Sequence, residues 1–552
     1  MSIVIKLQSK LPTIAQRSTS EIPTNPNSIF FKPATPNEVN KVIQGLKNNS
    51  NPSEIPSKFV KLLAPHLCKT LSELFNECIV NSVYPTCLKK LIVEPRYKSG
   101  DKTLISNHRQ ISLNNLVSKI FEKLTFNRLY SFFDVNKLIS NNQFGFLKNR
   151  STAQANGKLI HHSLPAIKDN TYTISVYLDM SKAFDCVDHA ILLEKFEKYG
   201  IRGNTLKFLK SHLSDRTQRV KIGENTFSKS KKVKIGVPQG SCLGPLFYLI
   251  YCNDINNIVT DVKIVNYADD CVLIINGTDI VELTRIMNEA LRQVSIWCIM
   301  NKLTINPDKS KCLIFSNRKI PQSITLFLND QAIQLVSTLK YLGIFLNHRL
   351  SFSHHVENLN SRLSQLAGIS FKLTYKFNVN TAKSYFYSFV YSIISYGISA
   401  WGGILLTYNC DRTNRLFRRI VLNLFGWHFP LLNFELICVH LKLICPKDIY
   451  RLELMTLYYN ISKSEDFDHL SMIKFDKLER GHNLRNQSEL RVPIPRTRVI
   501  KMHYEYNMPL IWNSIPLEIR EQKDGKNFKN SLKKYLRNEQ ENCIQKFVQL
   551  AT

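Results

Sequence analysis

The chain lacks the cysteine pairs that mark small zinc domains. None of its 13 cysteines occurs in a C-x-x-C pair, which argues against zinc ribbons and zinc knuckles. The tightest grouping of metal-binding residue types is Cys438, His440 and Cys445, and its apolar surroundings indicate a core segment instead. An odd, scattered set of thiols is typical of a protein that stays reduced inside a cell.

Targeting and membrane signals are also scarce. The apolar run at the N-terminus ends at Lys6, which is too short for a secretory signal. Residues 384–408 carry no charge and are long enough to span a bilayer, but the stretch is rich in Ser and Tyr and is interrupted by Gly397, Gly402 and Gly403. We expect a buried helical hairpin there, no stable membrane association, and an intracellular location in nucleus and cytoplasm.

Negative charge is in short supply. The 552 residues include 74 Lys and Arg against 43 Asp and Glu, which gives a net charge of +31. Such an excess indicates a polyanionic partner, and nucleic acid is the commonest one. A basic surface without a specific partner is the alternative. The length and the 44% hydrophobic content allow three or four domains with cores of their own.

Two of the few acidic residues, Asp269 and Asp270, are adjacent. They lie between the apolar runs 262–265 and 272–275, a pattern typical of a tight β-hairpin. We expect both carboxylates at its turn. Adjacent like charges repel each other unless a cation binds, and Mg²⁺ prefers carboxylate oxygens. An ordinary Asp-Asp turn is the alternative.

A third carboxylate and two basic residues extend this pattern. Asp179 follows the apolar, β-rich run 172–178, and Phe184 comes five residues later; core packing is the alternative reading of that ring. Lys98 and Arg109 follow a predicted strand at 91–95 and are of the type that binds a triphosphate. A solvated charge run is the alternative for these two.

Helix signals occur along the whole chain. Thr35 and Asp188 are predicted helix caps, and the second helix should stop at Gly200. Apolar periodicity predicts further helices at 55–82, 111–133 and 279–300 and a helical region from about residue 350. We also predict hairpin strands at 218–221 and 233–235 and short strands at 312–315 and 340–344. A predicted helix there carries four basic residues that could follow a phosphate backbone: Arg412, Arg415, Arg418 and Arg419.

Five motifs follow one another in an order that resembles the reverse transcriptases of non-LTR (LINE-type) retrotransposons, in the jockey-like branch. They are Asp179-x4-Phe184, Gly236-x-Pro-Gln-Gly-Ser241, Tyr267-Ala-Asp-Asp270, Asn306-x-x-Lys309 and Tyr341-Leu-Gly343. Three upstream segments fit as well: Lys98-Ser-Gly-Asp101, Arg109-Gln-Ile-Ser112 and Gln143-Phe-Gly-Phe146. The basic segment 412–426 and Trp512-Asn-Ser-Ile-Pro516 extend the likeness downstream, so that it covers about residues 30–540.

The resemblance implies an α+β right-hand polymerase, with fingers, a four-stranded antiparallel palm sheet and a helical thumb. We expect a loose N-terminal tail (1–34), a helical extension of the fingers (35–90), fingers and palm (91–348), a helical thumb (349–450) and a basic C-terminal region (451–552). The chain departs from the family at His108-Arg-Gln-Ile-Ser112, where Tyr-Arg-Pro-Ile-Ser is usual. It also lacks the endonuclease that precedes the polymerase in this branch, so we expect it to need a supplied nick or primer.

The implied reaction is RNA-directed DNA synthesis, in which two metal ions assist nucleotidyl transfer to a primer 3′-OH. The implied cofactor is a pair of Mg²⁺ ions, with Mn²⁺ as an alternative, and the implied partners are an RNA template, a DNA primer or target, and dNTPs. The catalytic residues would be Asp179, Asp269, Asp270 and the proton donor Lys309. The metal ligands would be those three aspartates and the main-chain carbonyl of Met180. Nucleotide contacts would come from Lys98, Arg109, Phe184 and Gln239, and the primer grip from Tyr341, Leu342 and Gly343.

Two other functions remain open at this point. The first is an RNA-binding remnant of a retroelement that no longer catalyses. The second is an RNA-dependent RNA polymerase, but such enzymes usually carry a small or polar residue where this chain has Phe184. An aromatic ring under the sugar leaves no space for a 2′-OH and therefore favours dNTPs.

Overall fold

The computed structural model describes residues 22–47, 55–223, 225–321, 324–407, 411–463, 475–476, 489–495, 497 and 499–551. The predicted tail before residue 22 and much of the predicted C-terminal region between 464 and 498 lie outside these ranges. The strands are β1 (Lys90–Tyr97), β2 (His108–Leu113), β3 (Tyr172–Asp179), β4 (Thr217–Ile222), β5 (Thr226–Phe227), β6 (Lys231–Lys232), β7 (Lys263–Tyr267), β8 (Asp270–Gly277), β9 (Lys311–Phe315), β10 (Phe327–Leu328), β11 (Gln331–Ala332), β12 (Gln334–Leu335), β13 (Thr338–Tyr341) and β14 (Ile344–Asn347).

Helices make up most of the remainder. They are α1 (Pro36–Gln44), α2 (Ser57–Val80), α3 (Leu116–Val135), α4 (Thr152–Lys168), α5 (His189–Lys198), α6 (Gly203–Leu213), α7 (Gly244–Cys252), α8 (Ile280–Met300), α9 (Ser353–Leu373), α10 (Val379–Tyr385), α11 (Ser392–Ser395), α12 (Ile398–Trp401), α13 (Ile404–Thr407), α14 (Asp411–Val421), α15 (Phe434–Leu441), α16 (Pro446–Lys463), α17 (Tyr504–Ser514), α18 (Leu517–Arg520) and α19 (Gly525–Ala551). The predicted caps are confirmed, because the side chain of Thr35 accepts a hydrogen bond from the backbone of Glu38 and that of Asp188 accepts from Ala190 and Ile191.

A five-stranded sheet in the order β12-β9-β3-β8-β7 forms the palm. Strand β3 is antiparallel to both β8 and β9. Successive side chains of a strand point to opposite faces, and the sheet therefore divides two cores: Ile174 and Val176 join the core that contains α8, whereas Val272 and Ile274 join the core that contains α4. The expected four strands are present, and the two-residue β12 adds a fifth that runs parallel to β9.

The fingers sheet has the order β2-β1-β4-β5, with β6 on β4. The prediction that a helix begins at 111 is wrong, because His108–Leu113 pairs antiparallel with β1. The helix starts only after Asn115, whose side chain caps it by accepting from the backbone of Val117. The predicted strand at 233–235 is also wrong, since the pairing partner of β4 is the preceding Lys231–Lys232.

The predicted helical region after residue 350 is confirmed. The described part of the uncharged stretch, 384–407, does not form the hairpin we expected. Its first half continues the helix of α10 without a break through the π-helical turn Phe386–Tyr391 into α11, and the short helices α12 and α13 follow. Gly397, with φ 59°, separates α11 from α12, and Trp401 is fully buried. In the part of the chain that the structure describes, no helix combines the length and the apolar character that a bilayer span needs.

Candidate active site

The adjacent aspartates lie at the tip of the β7–β8 hairpin. Tyr267 pairs with Asp270, so Ala268 and Asp269 form a two-residue turn. Ala268 has φ 56°, which is uncommon for a residue other than glycine. Asp269 therefore occupies the turn, as expected, while Asp270 is already the first residue of β8.

Asp179 ends β3 and is the cross-strand neighbour of Asp270. Its backbone is fixed from both sides: the carbonyl accepts a 2.9 Å hydrogen bond from the Asn306 amide, and the amide donates to Ser310 Oγ at 3.3 Å. The structure thus brings three carboxylates together at one end of two adjacent strands.

These carboxylates influence one another. Partial burial, followed by the charges of Asp269 and Asp179, raises the pKa of Asp270 to about 6, while Lys98 lowers it. Burial also raises the pKa of Asp269, as does Asp179, and the cations of Arg109 and Lys98 act in the opposite direction. Both side chains remain accessible to solvent. A group of like charges open to solvent is an arrangement that a bound cation would stabilise.

The donor set fits Mg²⁺ better than a metal that proteins enclose. Among the described residues, no group of three His, Cys, Asp or Glu side chains is arranged to hold a metal by itself. Mg²⁺ is usually bound through one or two carboxylates, with substrate phosphates and water completing its coordination. Three carboxylates with few other protein ligands are consistent with that chemistry.

Lys98 and Arg109 come from the fingers sheet. Arg109 lies in β2, and Lys98 follows β1 directly, where its amide donates to the Asn107 carbonyl at 2.9 Å. Both side chains are exposed, yet the positive charge of each lowers the pKa of the Asp269 carboxyl group. The β1–β2 hairpin therefore places two cations opposite the acidic hairpin of the palm.

Phe184 and Gln239 lie in the two palm loops that follow β3 and precede α7. The half-buried ring of Phe184 stacks on Tyr248 at 4.7 Å and 25° and meets Phe146 edge-on at 6.1 Å. Gln239 donates from Nε2 to Asp185 Oδ1 at 3.2 Å. The Gln239 carbonyl also accepts a 2.7 Å hydrogen bond from the Ser112 amide in β2, so this palm loop is joined to the fingers.

Lys309 and Met180 flank the backbone of Asp179. Met180 forms an antiparallel bridge with Ile305, and its side chain is buried. Lys309 is exposed in the turn before β9, which is closed by a 2.7 Å hydrogen bond from Ser310 Oγ to the Asn306 carbonyl.

The predicted primer grip lies at the turn of a hairpin. The prediction of one strand over residues 340–344 is therefore wrong, because the chain reverses within that range. Tyr341 pairs with Ile344 in the β13–β14 ladder, and the two residues between them, Leu342 and Gly343, have φ 41° and 83°. Tyr341 is buried, with its ring 5.3 Å from that of Tyr177. Burial raises the pKa of its hydroxyl, and the charge of Asp270 raises it further.

Sequence reasoning missed several residues that fix this site. Tyr396 donates from its hydroxyl to the Leu342 carbonyl at 2.9 Å. The fully buried Glu122 accepts from the Cys242 amide at 2.9 Å and from Asn114 Nδ2 at 2.7 Å, which anchors the loop after Gln239. A single Tyr or Glu in a helical pattern carries no signal of such a contact. Gln143 is different, because it belongs to a motif that the resemblance had already marked.

Comparison with known proteins agrees with the geometry. Residues 97–346 match the family described as "Reverse transcriptase (RNA-dependent DNA polymerase)". The "RNA-directed DNA polymerase from mobile element jockey" of Drosophila melanogaster is 30% identical over 391 residues, which is 68% of this chain and 42% of that protein. The "Probable RNA-directed DNA polymerase from transposon BS" of the same organism is 29% identical over 395 residues, 68% of this chain and 43% of that protein.

These matches cover less than half the length of either relative. A solved structure of apo telomerase from Candida tropicalis, truncated from its C-terminal domain, shares 13% identity at a TM-score of 0.33, over 50% of this chain and 59% of that one; a score this low supports no statement about fold. The family match and the two relatives confirm the expected α+β right-hand polymerase fold. Residues 97–346 therefore form a reverse transcriptase domain, and the chain is similar to non-LTR retrotransposon enzymes such as that of jockey.

Proposed function

We propose that this chain is an RNA-directed DNA polymerase that copies retrotransposon RNA into DNA by two-metal nucleotidyl transfer to a primer 3′-OH. One observation carries the proposal: Asp179, Asp269 and Asp270 meet where β3 ends and β8 begins, and two cations of the fingers lie near them. Lys98 lowers the pKa of Asp269 and Asp270, and Arg109 lowers that of Asp269. Such an arrangement suits a nucleoside triphosphate bound with divalent cations, because carboxylates bind the cations and basic side chains bind the phosphates.

The aspartates would hold the divalent ions. Asp179 and Asp269 are the principal ligands in this proposal, and Asp270 supports them. The main-chain carbonyl of Met180 would be one further ligand from the protein. When bound, Mg²⁺ ions lower the pKa of an attacking hydroxyl and stabilise charge on the transferring phosphoryl group; Mn²⁺ is an alternative. The rigid β3–β8 pairing keeps the ligands in place before substrate arrives.

The fingers and the central loops would select the nucleotide. Lys98 and Arg109 neutralise the triphosphate, Gln239 lies along the nascent base pair, and the ring of Phe184 occupies the space that a 2′-OH would need. Lys309 is the proposed proton donor to the departing pyrophosphate. The turn at Leu342 and Gly343, supported by Tyr341, would hold the end of the primer.

The proposed partners are an RNA template, a DNA primer or target, and dNTPs. The net charge of +31 favours binding of such polyanions, and the exposed arginines of α14 add a basic surface. The same proposal places the boundaries of fingers, palm and thumb near residues 90, 348 and 450. It also includes a location in nucleus and cytoplasm.

The test is extension of a DNA primer annealed to an RNA template by the purified full chain, with Mg²⁺ and either dNTPs or rNTPs. We expect extension with dNTPs that stops when EDTA is added. Extension only with rNTPs would identify an RNA-dependent RNA polymerase. Tight binding of the template with no extension under any metal would identify a remnant that binds RNA without catalysis.

A further inference from the structure

The segment around Gln143 extends the palm sheet next to the acidic hairpin. The Asn266 amide donates to the Asn142 carbonyl, and the Phe144 amide donates to the Asn266 carbonyl, both at 2.8 Å. Gln143 thereby forms a parallel bridge with Asn266 at the outer edge of β7. A segment that the chain delivers more than 100 residues earlier thus lies against the strand that leads into the Asp269 turn.

The side chain of Gln143 closes this arrangement. It is 5% exposed, and its Oε1 accepts two backbone hydrogen bonds, from the Ala268 amide at 2.9 Å and from the Gly145 amide at 2.8 Å. Ala268 is the residue with the unfavourable φ of 56°, and it immediately precedes Asp269. One amide oxygen therefore satisfies a donor inside the turn that carries the catalytic carboxylate.

The fit around the turn is close. A Cβ atom at Gly145 would lie 2.5 Å from the Ala268 nitrogen, so only glycine allows the two backbones to approach this far. The next residue, Phe146, contacts the ring of Phe184. On the other side, the half-buried Arg150 donates to the carbonyls of Gln143 and Ser140. The segment is thus fixed at both ends.

We propose that Gln143 is a positioning residue that holds the Ala268–Asp269 turn in its strained conformation and so sets the affinity of the site for divalent cations. The inference rests on the proposed function, in which Asp269 is a metal ligand. Without an acceptor at this position, the Ala268 and Gly145 donors are buried and unpaired. The turn then relaxes toward conformations that turn the Asp269 carboxylate away from Asp179.

The deciding variants change the acceptor and little else. Gln143→Met is close in volume and has no acceptor oxygen, whereas Gln143→Glu keeps an oxygen that accepts from both amides, whether or not the carboxyl is protonated. Gln154→Met is the matched control: Gln154 is 4% exposed and donates to the Asn149 carbonyl at 3.0 Å, in the first turn of α4, and has no hydrogen bond to the Ala268–Asp269 turn. Asp269→Asn defines the signal that belongs to this site.

The first measurement is Mn²⁺ binding to the full chain, followed by the EPR signal of free Mn²⁺, with thermal unfolding recorded in parallel. We expect Gln143→Met to raise the half-saturating Mn²⁺ concentration about tenfold, the scale of loss when a buried donor loses its acceptor. Gln143→Glu and Gln154→Met should bind as the unaltered chain does. If Gln143→Met does not fold, Gln143→Asn, which keeps the amide but shortens its reach, takes its place.

Unchanged Mn²⁺ binding by Gln143→Met would overturn the inference. An equal loss of Mn²⁺ affinity in Gln154→Met or in Gln143→Glu would also overturn it. So would the finding that Asp269→Asn binds Mn²⁺ as the unaltered chain does, because no binding would then belong to this site. Primer extension as a function of Mg²⁺ is the second readout. A chain that binds Mn²⁺ through Asp269 but extends no primer contradicts the proposed function, while the inference about Gln143 is still decided by the binding data.

Discussion

Replacing Phe184 by valine should admit ribonucleotides while leaving dNTP use largely intact. In the proposed site the ring occupies the space under the sugar, and valine would free that space. A wall that rejects a single added hydroxyl typically discriminates by about 100-fold. We therefore expect the ratio of kcat/KM for dNTP over rNTP to fall by roughly that factor, which corresponds to about 2.7 kcal/mol at about 1.4 kcal/mol per tenfold change.

The same substitution has a cost in stability that the structure allows us to separate. Phe184 contacts two rings, Tyr248 and Phe146, and each aromatic pair contributes about 0.5–1.5 kcal/mol. Phe184→Val should thus lower the free energy of unfolding by roughly 1–3 kcal/mol. Phe247→Val is the matched control, because Phe247 also contacts two rings, Phe196 at 5.1 Å and His212 at 6.0 Å, and it is the neighbour of Tyr248 in α7.

The assay is single-nucleotide incorporation on one primed RNA template, with dCTP and CTP compared for each variant, and urea unfolding run in parallel. Both variants should lose stability, and only Phe184→Val should lose selectivity. If Phe184→Val incorporates nucleotides with an unchanged dCTP/CTP ratio, the ring is core packing and nothing more. An equal change in Phe247→Val would show that selectivity follows general loosening of the palm.

Three further results are expected. Burial lowers the pKa of His355 and His503 to about 4, so each of these imidazoles binds a proton in the unfolded chain but not in the folded one between about pH 6.5 and pH 4. Each should therefore cost about 1.4 kcal/mol of stability per pH unit below pH 6.5, and in urea unfolding the slope of stability against pH should be smaller by that amount in His503→Leu; an unchanged slope would show that His503 is protonated in the folded chain. Tyr396→Phe removes the hydroxyl that donates to Leu342 and should raise the KM for primer with a stability loss of about 1 kcal/mol, whereas an unchanged KM would separate Tyr396 from primer binding. RNA affinity measured by fluorescence anisotropy should fall linearly in log–log form with added salt, and a salt-independent affinity would contradict the electrostatic account.

Signals that act within a few residues were predictable from the sequence. The caps at Thr35 and Asp188 and the amphipathic helix that begins after Asp279 follow from local side chain-to-backbone hydrogen bonds and periodicity, and the structure has them where they were expected. The helix predicted from 111 failed because β2 is stabilised by pairing with β1. That pairing is a contact between segments, which local propensity does not encode.

The candidate site shows the same division. The apolar runs correctly predicted a turn at Asp269 and a strand end at Asp179. Asp270, which we expected in the same turn, is the first residue of β8 instead, and the β3–β8 register places it opposite Asp179. The contacts that fix them are long-range: Gln143 accepts from a residue 125 positions away, and Tyr396 donates to one 54 positions away. No spacing rule predicts such pairs.

The C-terminal residues also contribute to the core of the polymerase, which changes the expected effect of removing them. From the sequence alone, removal of the basic segment 480–552 should weaken RNA binding without abolishing extension from a preformed primer. However, Trp512, Phe528 and Leu532 lie in the same core as α4 and the palm strands, so this truncation would expose apolar surface in the polymerase itself. Neutralising the exposed arginines of α14 tests the basic surface without that damage.

The most direct test of the central claim is the rate of a single nucleotide addition by Asp269→Asn on a primed RNA template with saturating dNTP and Mg²⁺. Asp308→Asn removes the same charge from an exposed position in the nearby turn before β9 and serves as its control. The account predicts a fall of roughly a hundred- to a thousandfold or more for Asp269→Asn, because charge stabilisation dominates this class of transition state, and a nearly unchanged rate for Asp308→Asn. Near-normal addition by Asp269→Asn would contradict the assignment of this hairpin as the catalytic centre.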